Sequence, residues 1–393
     1  MNQVSATYMP ILVSDGIRTS ASRTPDKIAL AEGERFLSFT DLVRRIDQVA
    51  FGLHEKVELK KGEHIALMSP NCLEFIEIVC GAADAGLATA MINPRLTAHE
   101  AAYICNDSEA KTLFVHVSLL ELMRSADLKK IKNIIVIGDG YEEWLSENEP
   151  KRPIISLEET DIFAIPYTAG TTGHPKGVLL PHRSRVLTFF AMAVEYGCYS
   201  SEDRALAIAP LFHGAGFAFA LAPIFFGGFC EILPKFDPEL VLEKLSENEI
   251  TNTFMVPTHF NAIFSLSDEV RSGYQFSNFR TLISNAAPLP QKTKERIIDY
   301  FGEDRLHECY GSTEGGIVCS LKPVDQLRKI KCVGNPFPCT EVRIFNEQGG
   351  QVVSGEIGEL YSRSPFLFGG YWGKPEETNI SLRKGWFSAG DMA

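Results

Sequence analysis

The sequence predicts an α/β protein with two stacked, mostly parallel βα sheets, followed by a small β-rich, barrel-like subdomain. Three observations carry this prediction. Short β-branched or apolar runs alternate with helical patterns through most of the chain. After about Leu327 the texture changes to short strands and Gly-rich turns. The length of 393 residues also exceeds what one typical core organises. The apolar runs fall at 64–68, 88–92, 112–117, 133–137, 162–166, 204–210, 230–233, 253–256, 281–284 and 305–309. Strands separated by full helices imply parallel sheets covered on both faces, and so many strands imply two sheets. Residues 1–327 are therefore expected to form two α/β subdomains. Residues 328–393 are expected to form the small one, from strands near 341–345, 358–363 and 369–372 with a turn at Gln348-Gly349-Gly350.

Composition excludes several function classes. A net charge of −12 repels a phosphate backbone and offers no footprint for nucleic acid. Any phosphate must be held locally, by loops and a metal. Nine cysteines without a C-x-x-C pair fit neither a disulfide framework nor a structural zinc site. They suit a reducing compartment as core fillers. The N-terminus lacks a basic segment leading into an apolar one, so a cytoplasmic protein without a secretory signal is expected. Residues 205–230 carry no Asp, Glu, Lys or Arg, but Pro210, Pro223 and several glycines interrupt them. A buried strand, loop and helix is expected there rather than a transmembrane segment.

Ligands of parallel sheets sit at the C-terminal ends of the strands, which selects the loops after Pro166, Pro210, Ser284 and Cys309. The first reads Tyr167-Thr168-Ala169-Gly170-Thr171-Thr172-Gly173-His174-Pro175-Lys176-Gly177-Val178. Its hydroxyls, glycines and lysine allow backbone N–H groups and side chains to converge on an anion. It differs from a Walker A loop, because Pro175 precedes Lys176 and Gly177 stands where Ser or Thr is required.

This string resembles the signature of the adenylate-forming superfamily, which includes acyl- and aryl-CoA synthetases, luciferases and peptide-synthetase adenylation domains. The downstream motifs follow in the family's order. Asn285-Ala286-Ala287-Pro288-Leu289 resembles the segment that packs against adenine. Glu308-Cys309-Tyr310-Gly311-Ser312-Thr313-Glu314 resembles the motif whose tyrosine stacks on adenine, whose threonine contacts phosphate and whose glutamate holds magnesium. Gly358-Glu359-Leu360, Gly370-Tyr371-Trp372 and Trp386-Phe387-Ser388-Ala389-Gly390-Asp391 match the later motifs, with Asp391 as the ribose ligand. Upstream, Leu37-Ser38-Phe39-Thr40-Asp41-Leu42 resembles the family's N-terminal segment.

The resemblance implies ATP, Mg2+ and coenzyme A as cofactors or co-substrates and a small carboxylic acid as partner. It allows a homodimer. A carboxylate would attack the α-phosphorus of ATP, so two anions must meet, and Mg2+ on Glu314 with donors from Thr171, Thr172 and Thr313 would offset their repulsion. Lys176 belongs with this catalytic set. Thr168, Gly170 and Gly173 complete the nucleotide loop. Three departures stand out: Ala169 where serine is frequent, Asn285 where glycine is usual, and Ala389 where threonine commonly precedes the Gly-Asp pair.

Leu211-Phe212-His213-Gly214-Ala215-Gly216-Phe217 resembles the segment that sets a histidine beside the acid in the acyl- and aryl-CoA branch. A histidine in an apolar run ordinarily reads as a core residue, and the family match reverses that reading. Phe212, His213, Phe217, Asn285 and Gly311 are thus implied around the substrate, with Phe219, Phe225 and Phe226 as further candidates for an apolar wall. The stretch from Gly216 to Cys230 holds no acid to pair an α-ammonium, which disfavours amino acids. A fatty or aryl acid is expected, with either still open. A carrier-protein acceptor, or an oxidation of the adenylate, would use the same motifs. A non-catalytic nucleotide or acyl-AMP binding module is the other alternative, against which the retention of Glu314 argues. The chain stops at Ala393 without a closing helix. The resemblance places a smaller C-terminal domain beyond that point, so weak or absent turnover is expected of these residues alone.

Overall fold

The computed structural model describes residues 9–168, 173–247 and 249–393. Two large sheets dominate it. The first runs in the order Asn133–Ile137, Thr112–His116, His64–Met68, Ala88–Ile92, Ile162–Thr168 and Lys176–Gly177, with Leu180–Pro181 pairing back onto Ile162–Thr168. Its first five strands are parallel. The second has nine strands: Asn335–Pro336, Gly316–Leu321, Leu306–Ser312, Thr281–Ser284, Asn252–Met255, Arg204–Ala207, Phe229–Ile232, Ile28–Glu32 and Arg35–Ser38. It is parallel at its centre and antiparallel at both edges.

Period-two alternation explains the layering. Ile65 and Leu67 of the first sheet, and Ala205, Ala207, Cys230 and Ile232 of the second, face one continuous core. Helices Phe39–Phe51, Leu73–Asp84, His182–Tyr196 and Gly214–Phe225 contribute to the same layer. Ala66 and Met68 turn to a separate outer core. Leu206, Phe229 and Met255 turn to another. The Ser38 hydroxyl accepts a hydrogen bond from the Asp41 N–H (3.1 Å) and caps helix Phe39–Phe51, which buries Phe39 and Leu42. The segment 37–42 is thus a helix start.

The expected α/β class holds, with three differences in detail. A hairpin of Ile28–Glu32 and Arg35–Ser38, turning at Gly33 (φ 58°), adds two strands to the edge of the nine-stranded sheet. The barrel-like unit is instead an open four-stranded antiparallel sheet ordered Glu341–Phe345, Glu359–Arg363, Trp386–Phe387 and Leu382–Arg383. The last two strands are only two residues long, too short to bend the sheet closed. Finally, Asn335–Pro336 stays with the nine-stranded sheet, and residues 369–372 lie along the first sheet rather than forming a strand of the small one. There the Gly369 N–H donates to the Leu179 carbonyl, the Leu179 N–H donates to the Gly370 carbonyl, and the Trp372 N–H donates to the Gly177 carbonyl.

The apolar stretch 205–230 folds as strand, loop, helix Gly214–Phe225 and strand, all largely buried. Among the described residues no helix is long and apolar enough to cross a membrane.

Candidate active site

Strands Thr281–Ser284 and Leu306–Ser312 end side by side, and the turn that follows the first is held open by polar contacts. The Asn285 Oδ1 accepts from the Ala286 N–H, and its Nδ2 donates to Cys309 Sγ (3.2 Å). Ala286 sits at φ 77°, a left-handed conformation that is costly for a residue with a Cβ. Behind the turn, Lys294 and Glu308 form an ion pair at 3% and 6% exposure. Glu308 also accepts from the Leu289 N–H (3.4 Å). These contacts present Ala286, Ala287 and Pro288 as one exposed wall of a cleft of about 730 Å³. Tyr310 and Asp391 line the same cleft. The Tyr310 hydroxyl donates to Asp391 Oδ2 at 2.6 Å. Burial, reinforced by that carboxylate, pushes the phenol's pKa up.

A register shift between Tyr310 and Gly311 marks a β-bulge. Any side chain at Gly311 would force the bulge to shift, because a Cβ would lie 2.1 Å from the Gly316 carbonyl oxygen. On the far side of Gly311 lies a second cavity of about 230 Å³, which shares Asn285, Ala286 and Gly311 with the cleft. Its other walls include Arg185, Thr188, Met192, His213, Phe219 and Phe254. His213 immediately precedes helix Gly214–Phe225, its N–H bonded to the Pro210 carbonyl (3.2 Å). One side of its ring is open to solvent. The other is desolvated, with Phe212 at 4.3 Å between ring centroids, and that burial lowers the imidazole pKa.

Glu314 lies at the junction of three segments. Its Oε1 accepts from the Tyr371 hydroxyl (2.9 Å) and, more weakly, from Thr168 Oγ1 (3.4 Å), while its carbonyl accepts from the Phe368 N–H (2.9 Å). Lys176 Nζ stands 5.3 Å from the centroid of the Tyr371 ring. The flanks of the 169–172 loop are pinned to helix Ala98–Asp107. Tyr167 donates to the Asp107 carboxylate (2.7 Å), the Trp372 indole donates to the Asp107 carbonyl (2.8 Å), and His174 stacks on Tyr103. Among the described residues no group of three or more His, Cys, Asp or Glu is arranged to hold a metal ion. A magnesium ion that keeps its waters and takes phosphate oxygens needs only one or two protein carboxylates, which the half-buried Glu314 fits.

Residues 17–372 match the model of the family described as AMP-binding enzyme. The chain belongs to that family. A feruloyl-CoA synthase of an Amycolatopsis species is 31% identical over 378 residues, 95% of this chain and 74% of that one. A long-chain-fatty-acid–CoA ligase of Bacillus subtilis is 28% identical over 410 residues, 95% of this chain and 72% of that one. Among solved structures, the inhibitor-bound N-terminal domain of FACL13 from Mycobacterium tuberculosis superposes with a TM-score of 0.90. It is 26% identical, covering 97% of this chain and 96% of that one.

In this AMP-binding enzyme the structure gathers Asn285, Ala286, Ala287, Pro288, Glu308, Cys309, Tyr310, Gly311 and Asp391 around the cleft. It gathers His213, Gly311, Ser312 and Thr313 around the smaller cavity. Thr168, Lys176 and Glu314 meet through Tyr371, and Gly173 adopts a left-handed φ of 94°. Gly170, Thr171 and Thr172, with Ala169, lie outside the described residues.

Two substrate assignments need correction. Phe217 points into the core between the sheets, 6.2 Å from Phe75 and 6.4 Å from Phe163 between ring centroids, and lines neither cavity. Phe212 touches His213 but also lies outside both linings. The helical period is the reason: residues two apart face nearly opposite sides, so Phe219 reaches the cavity and Phe217 cannot. Phe225 and Phe226 pack around Phe190 instead. Glu308 supports the cleft from behind, through Lys294 and Leu289. Sequence reasoning missed Phe254, stacked on Phe219 at 4.2 Å and 3°, and the helical stripe Arg185, Thr188 and Met192. The available signal was an arginine in an apolar helix with no acidic residue within a turn of it.

Proposed function

We propose that this AMP-binding enzyme activates a carboxylic acid with ATP and passes the acyl group to coenzyme A. The observation that carries the reading is the meeting of two cavities across Gly311, a residue with no side chain. In it, ATP occupies the larger cleft, with adenine between the Ala286-Ala287-Pro288 wall and Tyr310 and ribose on Asp391. The acid occupies the smaller cavity beside His213. A carboxylate oxygen bonds to the α-phosphorus and the bond to pyrophosphate breaks, giving the acyl-adenylate. The thiol of coenzyme A then loses its proton and attacks the acyl carbon, and AMP leaves.

Within this reading, the chain positions the two anions. Thr313 donates to phosphate, and Gly214 lies beside it at the junction. Tyr371 and Thr168 orient the Glu314 carboxylate. Mg2+ held by Glu314 and phosphate oxygens would neutralise charge that develops as pyrophosphate departs. His213, neutral because its pKa is lowered, sits beside the acid without adding a cation. Acid-dependent ATP–pyrophosphate exchange over a panel of fatty and aryl acids tests the reading. Exchange stimulated by a subset of acids supports it; nucleotide binding without exchange for any acid would leave a binding module.

A further inference from the structure

Among the described residues, the acid cavity contains a cation with nothing to pair with. Arg185 is 5% exposed, lines the cavity, and among the described residues its guanidinium makes no hydrogen bond or ion pair. Its Nη2 is fully buried and unpartnered. No Asp or Glu lines the cavity. The Thr188 hydroxyl donates to the Ser184 carbonyl (2.7 Å) and makes no bond to the guanidinium. Burial alone lowers the Arg185 pKa to about 10, so the group still enters the cavity charged at neutral pH. An uncompensated buried cation is among the most destabilising features a fold can carry, which makes it a reason to look for a ligand. The rest of the wall narrows the choice. Phe219 and Phe254, stacked face to face at 4.2 Å, give the cavity an aromatic lining, and a volume of about 230 Å³ suits a single ring better than a long alkyl chain.

We propose that this cavity takes an aryl carboxylic acid whose ring carries a second anionic group, and that Arg185 is the residue that receives that group. The inference rests on the proposed function, since the cavity must be the acid site. Carboxylate and sulfonate substituents both match the guanidinium fork, while an unsubstituted ring leaves the cation buried and unpaired.

The test compares 3- and 4-carboxybenzoic acids with their 3- and 4-methyl counterparts, by calorimetric binding in the presence of a non-hydrolysable ATP analogue. The wild-type chain should favour one carboxy isomer over its methyl analogue by at least about tenfold, the factor expected of one charge-assisted bond. Arg185→Met should reverse the preference and raise the thermal midpoint, because it removes an unpaired buried charge. Arg185→Lys should keep part of the preference and guards against a Met variant that fails to fold. Equal binding of both series by the wild type would overturn the inference. So would an equal loss of both series in Arg185→Met, which would place the guanidinium on the reacting carboxylate instead. Failure of the proposed function would look different: neither series would bind in a nucleotide-dependent way.

Discussion

The cleft between Ala286 and Tyr310 is walled by a few runs of consecutive residues, at 285–291, 308–311 and 330–333, together with Lys294 and Asp391. The cavity beyond Gly311 is walled by residues drawn from one helix at 185–192, the start of another at 213–219, and strands at 254 and 317. The first is rimmed by exposed backbone turns whose shape is set by hydrogen bonds and one buried ion pair. The second is lined by side chains from several elements and, among the described residues, holds one cation without a counter-charge. A wall made from a continuous turn depends on its local anchors. A wall made from separate elements depends on the packing of the whole layer between the sheets, so the two should fail under different perturbations.

The largest separation should come from Lys294→Met. It strands the Glu308 carboxylate at 6% exposure, and breaking a buried pair from one side costs about 4 kcal/mol. Urea denaturation should show that loss, and the residual folded protein should bind nucleotide less tightly while its acid cavity is unaltered. Adding Glu308→Leu should recover most of the stability; no recovery would mean that Lys294 acts through something other than the pair.

Acid should act on the other wall. His182 opens the helix that carries Arg185, lies almost fully buried, accepts from the Val13 N–H (3.2 Å), and is held neutral by burial with a pKa of about 4. The unfolded ring takes its proton near the ordinary histidine value. The stability tied to the neutral ring is therefore complete above about pH 6.5 and is lost as pH falls towards 4, about 3 kcal/mol in total. His182→Gln should flatten that part of the profile relative to the wild type. Parallel profiles would show that another group sets the acid limb.

The smallest effect on stability should come from Gly311→Ala, at about 2 kcal/mol for an overpacked site, because its Cβ meets the Gly316 carbonyl. It is also the change that breaks the comparison. Both cavities own this residue, so nucleotide and acid affinities should fall together. A variant that lost only one of them would show that the bulge does not form the shared boundary.

Legibility in the sequence followed the same division. The βα alternation and the strand ends pointed to the segments after Pro210, Ser284 and Cys309, which line the two cavities, because parallel sheets bury continuous apolar runs and leave the following segments exposed. The turn at Asn285 and the strand through Tyr310 were readable because their residues are neighbours in sequence as well as in space. Arg185 was harder to read, since its one local signal, the lack of an acidic residue within a turn, does not say whether the side chain faces a cavity or water. Phe217 was misplaced because composition counts aromatics without their phase on the helix. The hairpin at Ile28–Glu32 and Arg35–Ser38 went unread because both strands lie at an edge reached only by a parallel pairing with Phe229–Ile232, about two hundred residues away.

The hydrogen bond from Tyr310 to Asp391 also sets a threshold for occupancy. In the proposed role Asp391 accepts from ribose, yet in the ligand-free chain that carboxylate is already engaged by the neighbouring phenol. An arriving ribose hydroxyl would share a carboxylate that already accepts from the phenol, so what it gains at Asp391 would be less than the whole of a bond to an unengaged acceptor. In that proposed role, Tyr310 would hold the carboxylate oriented before the sugar arrives.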